Sequence, residues 1–255
     1  MDSQLSEKFF YGLPILFEGN SRIIKSVPKK NYLLCQLKST VFSFIKGSCY
    51  HIKGIDFTRA SLNSLFCNEL HKNGICTSTL ETSGRIIKLK LEEVAPIEVI
   101  VKSFHIGSPK HLYLNMDKTL TVNNTFLYPN VHHEPYIRFD WRNPLPKEDY
   151  CMPEGLANHF IDVEKAKMTA FSAYQILSLY CAKYYLKLKD ICFFMNKEGN
   201  TICAEISTDN TRIDYFGKNK ELKQIINTRN YMNSGIRAQA ILSLLKSVKN
   251  NLLNN

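Results

Sequence analysis

With 255 residues, 44% of them hydrophobic, and a formal charge of +10, the chain can bury a core of its own and fits one large domain or two lobes better than a string of modules. No leader-like segment opens it and no apolar run reaches membrane-spanning length, so the expectation is a cytoplasmic protein with no membrane partner. The charge suits phosphorylated small molecules, nucleic acid or an anionic surface equally, but the basic stretches 183–189 and 218–220 are short and mixed, which favours solvated helix faces over a specific nucleic-acid footprint.

The first elements read as a meander. Residues 21–27, 32–37 and 41–44 are β-branched or aromatic runs separated by Gly19-Asn20, Pro28-Lys29-Lys30 and Gly47-Ser48. From 56 to 73 the period becomes helical, with Phe57, Leu62, Leu65, Phe66 and Leu70 recurring and Asn73-Gly74 closing the run. Residues 77–80, 85–91 and 97–104 then alternate as antiparallel partners, with Ser83-Gly84 turning the first pair.

Between 123 and 153 five prolines predict a prolonged loop, either a substrate-covering segment or a crossover without chemistry. Asp162 reads as the N-cap of a helix reaching about residue 188, buried along Val163, Ala166, Ala170, Ala173, Leu177, Tyr180 and Tyr184. A hairpin of 191–195 and 201–206 and a terminal amphipathic helix over 236–253 complete the chain. The eight cysteines form no C-x-x-C pair and lie mostly in apolar stretches, as reduced core residues do. The sum is an α+β fold with a β-rich N-terminal lobe over residues 1–92 and a mixed α/β lobe over 93–255.

One stretch carries more. Pro96 and Glu98 precede an apolar strand ending in Lys102, and Gly107-Ser108 follow. This resembles the signature of the SAICAR synthetase family, phosphoribosylaminoimidazole-succinocarboxamide synthase. The chain departs from that signature at Ala95, at Lys102 where the family has Arg, and at Ile106. Gly74-Ile75-Cys76-Thr77 is similar to the family's Gly-Ile-Pro-Thr, and residues 130–137 to its Asp-x-x-His-Asp-Pro loop. Glu205, Ser207, Asp209 and Arg212 are similar to its Asp-Glu-x-Ser-Pro-Asp-x-x-Arg. The order is collinear over residues 10–248.

The resemblance implies a two-lobed fold with an inter-lobe cleft, the N-terminal sheet covering ATP. It also implies ATP and magnesium as cofactors for amide formation between a carboxylate on a phosphoribosyl-imidazole and the amine of aspartate. Carried over position by position, Lys102, Ser108, Arg212 and the loop histidine His133 fall on the substrate side. Gly12 and Lys90 fall near the nucleotide, and Asp190, Glu205 and Asp209 are the catalytic candidates, with Glu205 the metal candidate.

The losses lie on the ATP side. The family's Gly-Lys-x-Lys aligns with Gly12-Leu13-Pro14-Ile15, its Lys and metal-binding Glu align with Cys192 and Phe194, and the acid before Glu205 is Ala204. Both ATP and magnesium are therefore in doubt.

Three functions follow as expectations. The first is a divergent ligase acting on a phosphorylated or anionic small molecule outside core purine synthesis. The second is a pseudoenzyme or scaffold subunit with an enzyme partner, and the third an ATP-independent enzyme using His133, Cys192 or a carboxylate; homo-oligomerisation stays open. Read without the family, Arg212 is a solvated ion-pair residue and Lys102 a cross-strand partner.

Overall fold

The computed structural model describes residues 5–43, 47–106, 113, 115–144, 147, 149–230 and 232–247. The chain runs α1 (Glu7–Tyr11), β1 (Ile15–Glu18), β2 (Arg22–Ser26), β3 (Tyr32–Leu37), β4 (Thr40–Ser43), β5 (Ser48–His51), α2 (Ile55–Lys72), β6 (Cys76–Thr77), β7 (Thr79–Ser83) and β8 (Ile86–Lys90). It continues through β9 (Val94–Phe104), β10 (His132–Trp141), β11 (Tyr150–Met152), α3 (Glu154–Ala157) and α4 (Val163–Ala182). β12 (Leu186–Asn196), β13 (Thr201–Cys203), β14 (Thr211–Tyr215), α5 (Lys220–Asn227) and α6 (Ser234–Ser247) complete it. The α+β class is observed, and among the described residues no helix is long and apolar enough to cross a membrane.

A five-stranded sheet has the order β1-β2-β3-β8-β7, and a seven-stranded sheet the order β11-β10-β9-β12-β13-β6 with β14 also on β12. Alternation along β9 explains its central place. Ala95, Ile97, Val99 and Val101 enter the main core beneath α4, whereas Glu98, Ile100 and Lys102 point to the opposite face. Helix α2 joins the two sheets: Ile55, Leu62, Phe66 and Leu70 belong to the main core, and Ala60 packs with Cys35, Leu37, Ile87 and Leu89 of the first sheet.

Several elements differ from the sequence reading. β9 does not pair with β8; it lies between β10 and β12, antiparallel to both. A strand buried on both faces has to satisfy both of its hydrogen-bonding edges as well. The long helix ends at Ala182, and Tyr185 takes a positive φ of 58° as the chain turns into β12. Residues 186–189 therefore alternate as strand, and Lys189 is buried against Asp214 instead of lying on a solvated helix face.

The proline-rich segment contains the ten-residue strand β10. Pro135 sits where the register to β9 shifts between His132 and Tyr136, the place in a ladder that tolerates a missing N–H. Of the cysteines, Cys49, Cys76 and Cys151 are exposed rather than core.

The turn between β12 and β13 docks on the start of α4. Asp162 donates its N–H to the Lys197 carbonyl at 2.8 Å, and its side chain caps the helix through the Lys165 N–H at 3.1 Å. Gly199 has φ +68°, and a Cβ there would lie 2.6 Å from the Ala166 nitrogen and the Asp162 carbonyl oxygen, both backbone atoms. Gly199→Ala combines backbone strain with this clash and is expected to lose at least about 2 kcal/mol, a fall in Tm of about 4–8 °C. Gly155→Ala, in open space within a helix, should hold or raise Tm; equal Tm values for the two variants in a thermal melt would refute the close approach.

Candidate functional site

The face of the seven-stranded sheet turned away from the main core carries the polar residues. Register aligns Glu98, Ile100 and Lys102 of β9 with Asp140, Arg138 and Tyr136 of β10 on one side. On the other side they meet Phe194, Cys192 and Asp190 of β12, and Arg212 of β14 lies next to Asp190. Arg22 of the first sheet reaches this face, 5.9 Å from the centre of the Phe194 ring, while Arg142 lies 4.3 Å from the same ring. Arg22 thus brings the first sheet against the Phe194 end of this face, the side on which an inter-lobe cleft is expected.

Lys102, Asp190 and Arg212, separated by 88 and 22 positions in the chain, form one cluster. Asp190 Oδ2 accepts from Lys102 Nζ at 3.2 Å and from Arg212 Nη1 at 2.5 Å. Lys102 is 0% exposed and gives a further hydrogen bond to the Ile106 carbonyl at 2.6 Å. Burial pushes its ammonium pKa down, and Asp190 offsets part of that shift. Arg212, its side chain 33% exposed, is the member of the trio with guanidinium surface left for an anion. Lys102, expected on the substrate side, lies buried behind Asp190.

Ser108, with Gly107, lies outside the described residues. His133 stacks on Tyr136 with centroids 5.4 Å apart and an interplanar angle of 24°, and Tyr136 is the strand partner of Lys102. His133 thereby sits at the margin of the cluster, its Nδ1 2.8 Å from the Glu134 carbonyl.

Glu205 and Asp209 form a second cluster, around Arg59 of α2. Arg59 Nε and Nη2 donate to the two Glu205 carboxylate oxygens at 2.8 Å each. Asp209 Oδ2 lies 3.0 Å from Nη2, and the Ser207 hydroxyl donates to Glu205 Oε1 at 2.7 Å. Burial alone would push the Glu205 carboxyl up, but Arg59, Arg22 and the Ser207 hydrogen bond hold it below the usual carboxylate range. The Asp209 side chain stays 32% exposed, between the Arg59 guanidinium and the Glu205 charge. Ala204, just before Glu205, has φ +63°, so local strain accompanies the placement of this carboxylate.

These contacts bear on the metal role expected of Glu205. Both Glu205 oxygens are engaged by a cation, and among the described residues no group of three or more His, Cys, Asp or Glu is placed to hold a metal ion. A magnesium ion does not fit at Glu205 as it stands, and Asp190 belongs to the Lys102–Arg212 cluster. Gly12 also has its amide spent on the Phe9 carbonyl at 3.2 Å, with no N–H to offer a phosphate. Lys90 ends β8 with its ammonium 2.6 Å from Glu92, and that hydrogen bond raises its pKa. Lys25 turns the other way, to the Tyr11 carbonyl at 3.1 Å and the Phe10 ring at 4.9 Å.

Arg59, Arg22, Arg142 and the buried Arg138–Asp140 pair, bonded at 2.6 and 2.5 Å, escaped the sequence reading. For Arg59 a signal existed. It falls in register with Ile55, Leu62 and Phe66 on the buried face of α2, and a cation on an apolar stripe implies a buried acid elsewhere in the chain.

Comparison with known proteins agrees with this architecture. The family described as SAICAR synthetase matches residues 15–232. The chain is 28% identical to a phosphoribosylaminoimidazole-succinocarboxamide synthase of Campylobacter concisus, covering 78% of this chain and 83% of that protein. It is 26% identical to bifunctional cordycepin biosynthesis cluster protein 3 of Cordyceps militaris over 78% of this chain, but spans only 27% of that longer protein. The crystal structure of the Ehrlichia chaffeensis phosphoribosylaminoimidazole-succinocarboxamide synthase superposes with a TM-score of 0.74 at 19% identity, over 92% of this chain and 98% of that one. That likeness establishes the fold.

Cys192, which stands where the family has a lysine, does not have the character of a nucleophile. Burial pushes its thiol pKa far up, and Glu98 adds to the shift by charge and by hydrogen bonding. Burial likewise pushes Cys35, Cys181 and Cys203 up to about 12. Alkylation with iodoacetamide near pH 8, followed by peptide mass spectrometry, is expected to modify exposed Cys49, Cys76 and Cys151 first. Fast labelling of Cys192 in the folded protein would overturn this reading and restore a catalytic thiol.

Proposed function

The chain belongs to the SAICAR synthetase family, and on that premise we propose that it is a ligase of the carboxylate–amine type acting on a phosphorylated or otherwise anionic small molecule outside core purine synthesis. The observation that carries the proposal is the Lys102–Asp190–Arg212 cluster. Two cations share one carboxylate oxygen, which leaves a net positive charge at the cleft surface where Arg212 is exposed. Asp190 fixes the guanidinium, so little side-chain freedom is lost when it binds an anion.

Each residue of the chain has a defined part. Arg212 binds the phosphate or carboxylate, Asp190 orients it, and Lys102 keeps the local balance positive from within the sheet. His133 and Tyr136 present a stacked aromatic margin beside that charge, suited to a flat ring attached to the anion. The first sheet excludes water from the face it covers, a condition for an activated acyl group to meet an amine before it is hydrolysed. ATP, when bound, would supply the phosphoryl group that activates the carboxylate. Arg22 and Arg142 beside Phe194 are the cations available to it on this face, in place of the Lys90 ammonium and the Gly12 amide.

A second reading is favoured by one specific contact. The grip of Arg59 on Glu205 and Asp209 suits a subunit that binds the ligand without turnover and works beside an enzyme partner.

Isothermal titration separates these readings. Ribose 5-phosphate, as the anion probe, should bind the wild type, and Arg212→Ala should weaken it about 10- to 100-fold, the worth of one charged contact. Absence of binding, or indifference to Arg212→Ala, would sink the anion site. Titration with ATP and a nonhydrolysable analogue follows: nucleotide binding supports the ligase, and ribose 5-phosphate binding with no response to either nucleotide supports the subunit without turnover.

A further inference from the structure

The Arg59 cluster goes beyond a stabilising ion pair. A hard divalent cation at Glu205 and Asp209 would have to sit about 2.0–2.6 Å from their oxygens, and those positions already face guanidinium nitrogens. Arg59 is 1% exposed, so its nitrogens cannot be exchanged for solvent without a shift of α2. Both lone-pair directions of Glu205 toward α2 are taken at 2.8 Å, Ser207 occupies a third contact at 2.7 Å, and Asp209 is drawn to the same Nη2 at 3.0 Å.

Among the described residues no group of three or more His, Cys, Asp or Glu is placed to hold a metal beside that guanidinium. Arg22, from the opposite sheet, adds a second positive charge acting on Glu205 and Asp209, and the neighbouring Cys35 thiol is pushed up to about 12 by burial and stays neutral. A divalent ion added here would meet two cations and two carboxylates already in balance.

We infer that Arg59 is a resident counter-cation: its guanidinium does permanently at Glu205 and Asp209 what a bound divalent ion would do there, so these carboxylates hold no divalent metal while Arg59 is in place. The inference concerns this charge balance alone and does not rest on the ligase reading. Failure of the test below leaves the anion site at Arg212 standing, and loss of that site leaves this inference standing.

The test is a manganese titration followed by electron paramagnetic resonance, on the wild type, Asp209→Asn, Arg59→Ala and Arg59→Ala/Asp209→Asn, each checked for folding by circular dichroism. The wild type and Asp209→Asn should bind Mn²⁺ equally weakly. Arg59→Ala should gain a site at least about tenfold tighter, because the freed oxygens now lack a cation, and Asp209→Asn should remove that gain. A wild-type Mn²⁺ site lost in Asp209→Asn would overturn the inference, and so would a folded Arg59→Ala that gains nothing. If Arg59→Ala does not fold, the comparison of wild type with Asp209→Asn decides: equal binding sustains the inference, and weaker binding in Asp209→Asn ends it.

Discussion

An arginine buried without a partner would cost several kcal/mol in lost hydration, and Arg59 is buried almost completely. Its two-point contact with Glu205 answers that cost, and the geometry it demands reaches far beyond the pair. Arg59 belongs to α2, whose neighbouring Ala60 packs under the first sheet and whose Ile55, Leu62 and Phe66 pack in the main core. Glu205 belongs to the segment between β13 and β14. One ion pair therefore ties the helix shared by both sheets to the strand that carries Arg212. Breaking one side of such a pair leaves the other charge stranded, typically about 3–5 kcal/mol, so the placement of the cleft rests on it.

The same logic explains the two-faced sheet. On one side of β9 the branched residues Ile97, Val99 and Val101 are almost fully buried, each contributing about 1.5–3 kcal/mol by leaving water. That side can be left to the hydrophobic effect. The other side holds Lys102, Asp190, Arg138 and Asp140, also buried, and stays folded only because each charge has a partner within hydrogen-bonding distance. On the α4 side Tyr174 donates its hydroxyl to the Ser103 hydroxyl at 2.5 Å, next to Lys102 near the end of β9.

How much of this could be read from the sequence follows from the range of each interaction. The strands at 22–26 and 32–37, the helix after Gly54 and the Asp162 cap rest on local period and local hydrogen bonds, and they appear where the residues place them. Strand pairing is not local. β8 and β9 both alternate and are adjacent in sequence, yet they enter different sheets, each paired on both edges: β8 between β3 and β7, β9 between β10 and β12. The end of α4 was misplaced because Leu186 and Leu188 fit both a helical and a strand period, and the turn at Tyr185 decides between them. For the site, the family motif located Lys102, Asp190, Arg212, Glu205 and Asp209 individually. It could not show that the first three share one carboxylate oxygen, nor that an arginine 146 positions away from Glu205 takes up the carboxylate.

The two clusters differ in net charge, and that difference gives the cleft its direction. At the Lys102 end two cations share one carboxylate and Arg212 stays partly open. Arg59 and Arg22 both act on Glu205 and Asp209, two cations against two carboxylates, which brings that part of the face near neutrality. Asp190 and Phe194 stand four residues apart on β12, about 13 Å along the strand, so an anion held at Arg212 and a flat or extended group lying toward Phe194, Arg22 and Arg142 can be accommodated at once. An anionic ligand entering such a cleft is drawn to the Arg212 end first and directs its remaining length toward the aromatic ring between the two arginines. The orientation follows from charge placement alone, before any particular reaction is assigned to it.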